Sequence, residues 1–193
     1  MISGFIRQKI SRHFSGQKEI VFDNSIPSRE SLAQKFEDIP ELGIYLHVPF
    51  CNQICPYCPY NKEIYEPTAC QSYKKAVLKE IDSYVPIVSG KPVTSFYIGG
   101  GTPTTMLGKG LEEIINHIYN HFNMKCYVHM ESHPNHLTPE NLDAIEAMGV
   151  KYLSMGVEAL QDRHLRSIER PYTVAEVKKS VEKAVGRSGH RHF

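Results

Sequence analysis

Four times between residues 43 and 186 a short run of β-forming, apolar residues gives way to a longer segment with helical spacing, and this alternation constrains the fold most. The runs are GIYLHVPF (43–50), VTSFYIGG (93–100), CYVHMES (126–132) and KYLSMGVE (151–158). Behind the first comes QSYKKAVLKEIDSYV (71–85), with Tyr73, Val77, Ile81 and Tyr84 on one helical face. Behind the second comes GLEEIINHIYNHF (110–122), with Leu111, Ile114, Ile115, Ile118 and Phe122 aligned in the same way. TPENLDAIEAMG (138–149) has Thr138 as N-cap, Pro139 at the first helical position and Gly149 past the end; TVAEVKKSVEKAVG (173–186) opens on Thr173. Strands alternating with helices pair in parallel through right-handed crossovers, which predicts an α/β sheet or barrel of about four βα units. In such folds chemistry sits on the loops leaving the C-terminal ends of the strands. Here those loops carry the cysteines, a triple glycine, Glu131 and Glu158.

The loop after the first run, PFCNQICPYCPYNK (49–62), spaces Cys51, Cys55 and Cys58 as CxxxCxxC among three prolines. A structural zinc site takes four ligands, usually as two CxxC pairs, and Cys70 and Cys126 stand apart from the trio and from each other. Zinc is therefore the weaker reading. An iron-sulfur cube held by three thiolates leaves one iron open to a substrate, and the prolines reduce the entropy lost on ordering the loop. A proline-rich polar turn is also a poor place to bury unreactive thiols.

Composition sets the surroundings. A chain of 193 residues, 41% hydrophobic and 22% charged, supports one sizeable core. A net charge of +1 gives no electrostatic footprint for nucleic acid, and no apolar run is long enough to cross a bilayer. The basic segment 1–20 lacks the apolar core of a secretory signal. Residues 1–40 are expected to form an N-terminal extension, with NSIPSRES (24–31) as a hinge into LAQKFEDI, and residues 41–193 the functional core. His47 reads as a satisfied strand histidine and HPNH (133–136) as a turn without metal, while His190 and His192 read as solvated.

YLHVPFCNQICPYC resembles the signature of the radical S-adenosylmethionine superfamily, and its HVPFC lead-in resembles the oxygen-independent coproporphyrinogen III oxidase family. GGGTPT (99–104), ESHPNHLTPE (131–140) and SMGVEALQDRHLRSIER (154–170) are similar, in order and separation, to later motifs of that family. The resemblance implies a parallel (βα) barrel, here partial. It implies a [4Fe-4S] cluster on Cys51, Cys55 and Cys58, with S-adenosylmethionine chelated by the fourth iron and split to a 5'-deoxyadenosyl radical. It assigns cofactor contacts to the backbone at Gly99, Gly100 and Gly101, the Thr102 hydroxyl, Glu131, Glu158 and Arg170. Tyr45 is placed beside the sulfonium and Tyr57 near the adenine. A tetrapyrrole substrate, a flavodoxin or ferredoxin as electron donor, and a reducing compartment such as cytoplasm follow.

Two departures stand out. The family pattern usually has glutamine where this chain has Glu158, so a group that donates and accepts becomes one that only accepts when ionised. Members that decarboxylate porphyrinogens typically carry a further cysteine where Tyr60 stands, and heme chaperones and heme-opening methyltransferases share the same core. Full enzymes of the family use about six βα units plus a C-terminal domain. With four, this chain is expected to be a truncated form or completed by another polypeptide, to leave a parallel edge uncovered, and to bind a cluster while turning over poorly.

Overall fold

The computed structural model describes residues 27–88 and 90–186. The basic segment 1–20, most of the proposed extension, His190 and His192 lie outside the described residues. Helix α1 (Arg29–Glu37) is capped by Ser28, whose Oγ accepts from the Ser31 N–H at 3.1 Å. What reads in sequence as the end of a hinge is thus the start of a helix. Its C-terminal end is tied down by Lys91, whose Nζ donates to the carbonyls of Glu37 and Ile39.

The main sheet contains β1 (Leu42–Val48), β4 (Pro92–Gly100), β6 (Val128–Ser132) and β7 (Val150–Met155) in that spatial order, all parallel. A two-residue strand, β5 (Asn123–Met124), pairs with the start of β4. Between the strands run α2 (Pro67–Val88), α3 (Leu111–His121) and α4 (Pro139–Ala147), and α6 (Val174–Gly186) closes the described chain. The predicted α/β alternation is what forms.

Boundaries differ from the sequence reading at three places, each for a local reason. The first run breaks at Pro49, which has no N–H for the ladder; β1 stops at Val48 and Phe50–Cys51 forms a separate strand, β2, against β3 (Glu63–Ile64). β6 begins at Val128 rather than Cys126, where its pairing with Phe96 begins. β7 ends at Met155 rather than Glu158, because the chain peels away through Gly156 and Glu158 takes the left-handed conformation, φ 69°. The short helix α5 (Asp162–Ser167) was not expected; six residues carry too little periodicity to announce themselves.

Strand alternation divides the sheet into two different faces. One buries Leu46, Val48, Phe96, Ile98, Val128, Met130 and Leu153 against Val77 and Ile81 of α2, Leu111, Ile114, Ile115 and Ile118 of α3, and Leu142 and Ile145 of α4. Ile115 is 1% exposed at the centre of this layer, so Ile115→Ala is expected to destabilise by about 2–5 kcal/mol, read as a lower denaturant midpoint at unchanged slope.

The other face carries polar and aromatic side chains in register. Tyr45, Tyr97, His129 and Tyr152 are successive partners across the four strands. The next row towards the strand ends holds His47 opposite Gly99 and Glu131 opposite Ser154. Gly99 keeps that row passable, since a Cβ there would stand 3.0 Å from Glu131 Oε2. The rows lead directly to the loops predicted to carry chemistry.

Candidate functional site

Beyond the carboxyl ends of β4, β6 and β7 a cavity of about 820 Å³ opens. It is lined by Cys51, Cys55 and Cys58, by Gly100, Gly101 and Thr102, and by Glu131, Ser132, Ser154, Gly156, Glu158 and Arg170. Residues drawn from four separate loops therefore meet at one place, as parallel α/β folds require of a site.

The cysteine loop is held at both ends. Glu63 N–H donates to the Pro49 carbonyl and Tyr65 N–H to the Cys51 carbonyl, at 2.8 and 2.9 Å, so the loop leaves beside its point of entry. Lys62 Nζ closes the inner turn on the carbonyls of Cys58 (2.6 Å) and Tyr60 (3.1 Å). On the sheet side, Gly101 N–H donates to the Val48 carbonyl and Thr102 N–H to the Phe50 carbonyl, at 2.7 and 2.9 Å. A Cβ on Gly101 would lie 2.6 Å from Pro49 O and 2.9 Å from Phe50 O, so only glycine permits this seam. Gly100 has φ 118°, outside the range side chains favour.

All five cysteines are free thiols, and those lining the cavity are Cys51, Cys55 and Cys58. Thr102 Oγ1 stands 3.5 Å from Cys51 Sγ, and Arg170 Nη1 donates to Cys55 Sγ at 3.3 Å. Burial pushes the Cys51 thiol up, partly offset by the Thr102 hydroxyl. A buried thiol of this kind becomes a good thiolate when a cation replaces its proton. The donor set, three sulfurs lining one cavity, is one short of the four ligands of a structural zinc and fits a polynuclear cluster with one position left open.

Glu131 has both oxygens engaged: Tyr97 Oη donates to Oε1 at 2.8 Å and Gly100 N–H to Oε2 at 3.1 Å. Its carboxylate is thereby fixed in the cavity lining. Arg170 is anchored by the Gly156 carbonyl and the Tyr172 hydroxyl, and Tyr172 Oη donates to the Gly156 carbonyl at 2.7 Å. This small network places a guanidinium between the last strand and the cysteine loop. Desolvation raises the Tyr57 phenol well above its usual value, so that ring enters the cavity neutral.

Of the nine residues expected to contact the cofactor, Gly99 stops one residue short of the cavity on β4, whereas Tyr57, Gly100, Gly101, Thr102, Glu131, Glu158 and Arg170 line it together with the three cysteines. Tyr45 does not. Its ring is 59% exposed and stacks on Tyr97 with centroids 6.1 Å apart, on the open sheet face beside the cavity. His47 is satisfied, as expected: Nε2–H donates to the Asn61 carbonyl at 2.9 Å, which leaves Nδ1 to accept from Tyr45 Oη at 3.2 Å.

Several residues that line or brace the cavity escaped the sequence reading as site residues. His136 Nε2 accepts from Asn52 Nδ2 at 2.9 Å and its Nδ1–H donates to Thr104 Oγ1 at 2.7 Å, which links the cysteine loop to the turn after β4. Only the position of Asn52 inside the CxxxCxxC loop hinted at this. Tyr97 was legible only as a strand aromatic, and Tyr172 lies outside every motif used.

Burial, reinforced by the Arg170 charge and then His136, holds His133 near a pKa of about 3 against an ordinary 6.5. The folded chain thus keeps this ring neutral at pH values where the unfolded chain protonates it. The stability it contributes is complete above about pH 6.5 and is lost progressively as pH falls toward about 3. His133→Asn, which retains an acceptor for the Asn135 N–H, is expected to flatten the fall in melting temperature between pH 7 and 4. An unchanged slope in thermal melts would show that His133 contributes nothing to it.

Comparison with known proteins adds identity to geometry. The sequence model of the Radical SAM superfamily matches residues 45–190. The chain is 26% identical over 151 residues to the heme chaperone HemW of Escherichia coli (strain K12), covering 77% of this chain and 40% of that protein. It is 31% identical over 143 residues to HemW of Bacillus subtilis (strain 168), covering 72% and 38%. With the oxygen-independent coproporphyrinogen III oxidase of Salmonella typhimurium it shares 28% over 160 residues, covering 76% and 35%. The chain therefore spans about two fifths of the length of these curated relatives. The solved structure of coproporphyrinogen III oxidase (HemN) from Escherichia coli superimposes with a TM-score of 0.78 at 24% identity, over 88% of this chain and 40% of that one. That likeness shows the fold, and with the family match it makes the sheet part of a radical SAM barrel. Membership implies an iron-sulfur cluster and S-adenosylmethionine, and no helix of the described residues is long and apolar enough to cross a membrane. With its motifs in order, its fold matched and most of its length covered by the family model, the chain belongs to the radical SAM superfamily.

Proposed function

We propose that Cys51, Cys55 and Cys58 hold a [4Fe-4S] cluster, that S-adenosylmethionine completes the coordination, and that the protein works in tetrapyrrole metabolism. The observation that carries the first two parts is the meeting of three thiols, and no fourth, with Glu131, Thr102 and Arg170 around one cavity. When bound, the cluster supplies the electron that reductively cleaves the sulfonium of S-adenosylmethionine.

The chain's own residues bind, orient and shield. Gly100 and Gly101 would offer bare backbone, and Thr102 its hydroxyl, to hold the methionine amino group. Glu131, already locked by Tyr97 and Gly100, accepts from the cofactor without reorganising. Arg170 would pair with a carboxylate, Glu158 would accept from hydroxyls, and Tyr57 would hold the adenine as a neutral ring. The electron donor is a small redox protein such as flavodoxin or ferredoxin, in a reducing compartment such as the cytoplasm.

For the tetrapyrrole step the first reading is coproporphyrinogen III oxidase-like chemistry. A second, heme carriage without decarboxylation, is favoured by Tyr60, 65% exposed where decarboxylating members typically have cysteine, and by the heme chaperones among the relatives. One anaerobic experiment separates them. Reconstituted protein is given S-adenosylmethionine and reductant, then assayed for 5'-deoxyadenosine and for decarboxylated coproporphyrinogen, with heme titrated in parallel. Decarboxylated product supports the oxidase; heme bound one to one without that product supports the carrier. Neither product nor heme binding would remove tetrapyrroles from the account.

A further inference from the structure

On the outer layer, remote in sequence from the cysteine loop, Asp82 of α2 and His117 and His121 of α3 bring one donor atom each to within 4.8 Å of the others. We propose that these three side chains form a divalent transition-metal site, of the kind that takes zinc, bridging α2 and α3.

Helical spacing explains the pair: His117 and His121 are i and i+4 and so lie on one face, with ring centroids 4.1 Å apart. The orientation of His121 is already set. Its Nδ1–H donates to the His117 carbonyl at 2.8 Å, so the Nε2 lone pair points away from its own helix, the arrangement in which metal-ligating histidines are commonly held. His117 Nε2–H donates to Asp82 Oδ1 at 2.7 Å across the helix pair. A metal ion takes the place of that shared proton while the ring keeps one proton on Nδ1: an imidazolium releases its Nε2 proton to solvent, a neutral ring relocates it through solvent to Nδ1, and nitrogen and oxygen separate to the roughly 3.4 Å between neighbouring ligands of tetrahedral zinc.

Two imidazoles and a carboxylate suit zinc better than magnesium or calcium, which prefer oxygen alone. The last turn of α3 adds the negative end of its helix dipole, which favours a cation there. His117 is half-buried, with 26% of its side chain exposed, whereas Asp82 is 60% exposed, so one ligand is positioned by packing and solvent reaches the other. Lys74 of α2 already pairs with Glu113 of α3 at 2.5 Å, and the metal would tie the two helices at a second point.

The test compares zinc binding, by competition with a chromogenic chelator, in the full chain and in His121→Gln and Asp82→Asn. Both changes are at exposed positions, and far-UV circular dichroism checks that the fold is retained. Zinc taken by the cysteine thiols is common to all three proteins and cancels in the difference. The wild type is expected to bind one more equivalent than His121→Gln, or to bind the same equivalent at least about tenfold more tightly. Its melting temperature should also rise with zinc by more than that of either variant. Equal stoichiometry, affinity and zinc-dependent melting in the three proteins would overturn the proposal.

Discussion

Cys58→Ser is expected to leave the apo chain folded and to abolish its capacity to retain iron and sulfide. The backbone contacts around Cys58 are made by its carbonyl and N–H, to Lys62 and Cys55, so an isosteric change of sulfur to oxygen disturbs none of them. Stability of the apo protein should move by no more than about 0.5 kcal/mol. The chemical consequence is large, because two thiolates leave a second corner of the cube without a protein ligand. Retained iron after desalting and the rate of 5'-deoxyadenosine formation should each fall at least about 100-fold. Cys70→Ser is the control: Cys70 is 1% exposed in α2, away from the cavity, and its replacement should alter stability without removing the cluster. A Cys58→Ser protein that keeps wild-type iron would show that these three thiols are not the ligand set.

Gly101→Ala is expected to have the second-largest effect. A single methyl group would enter the carbonyls of Pro49 and Phe50 at 2.6 and 2.9 Å, and these are backbone atoms that cannot swing aside. The seam must open, which sacrifices the hydrogen bonds from Gly101 to Val48 and from Thr102 to Phe50. Two such bonds and the steric strain together cost about 2–4 kcal/mol. Because the seam joins the triple glycine to the cysteine loop, affinity for S-adenosylmethionine should fall with stability. Gly156→Ala supplies the comparison. Its nearest neighbour is Glu158 Oε1 at 3.5 Å, an ordinary contact, and neither glycine needs a left-handed backbone. Denaturant midpoints should therefore separate the two variants by most of the expected cost.

Features written in contiguous residues were legible in the sequence. Thr138 caps α4 by accepting from the Asn141 N–H at 3.2 Å, and Gly149 ends it at φ 75°. Thr173 and Glu176 form a reciprocal cap at the start of α6, with Thr173 N–H donating to Glu176 at 2.7 Å. The cysteines and the triple glycine were visible for the same reason. What depended on register between distant strands was not. That Tyr97 would hold Glu131 follows from which residue of one strand faces which residue of another, and that His136 would bridge Asn52 and Thr104 follows from how the loops beyond those strands meet. Hydrophobic patterning fixes the face a side chain occupies but not its partner along the sheet. Tyr45 shows the same limit: strand alternation places it on the polar face, while the register sets it one row short of the cavity.

The central claim is that three thiolates hold a cluster with one coordination position left for S-adenosylmethionine. It is tested most directly by the electron paramagnetic resonance spectrum of the anaerobically reconstituted, dithionite-reduced protein, recorded before and after S-adenosylmethionine is added. The account predicts a reduced-cluster signal whose g-values shift when the cofactor binds. A reconstituted protein with a well-formed cluster signal that is identical with and without S-adenosylmethionine would contradict it.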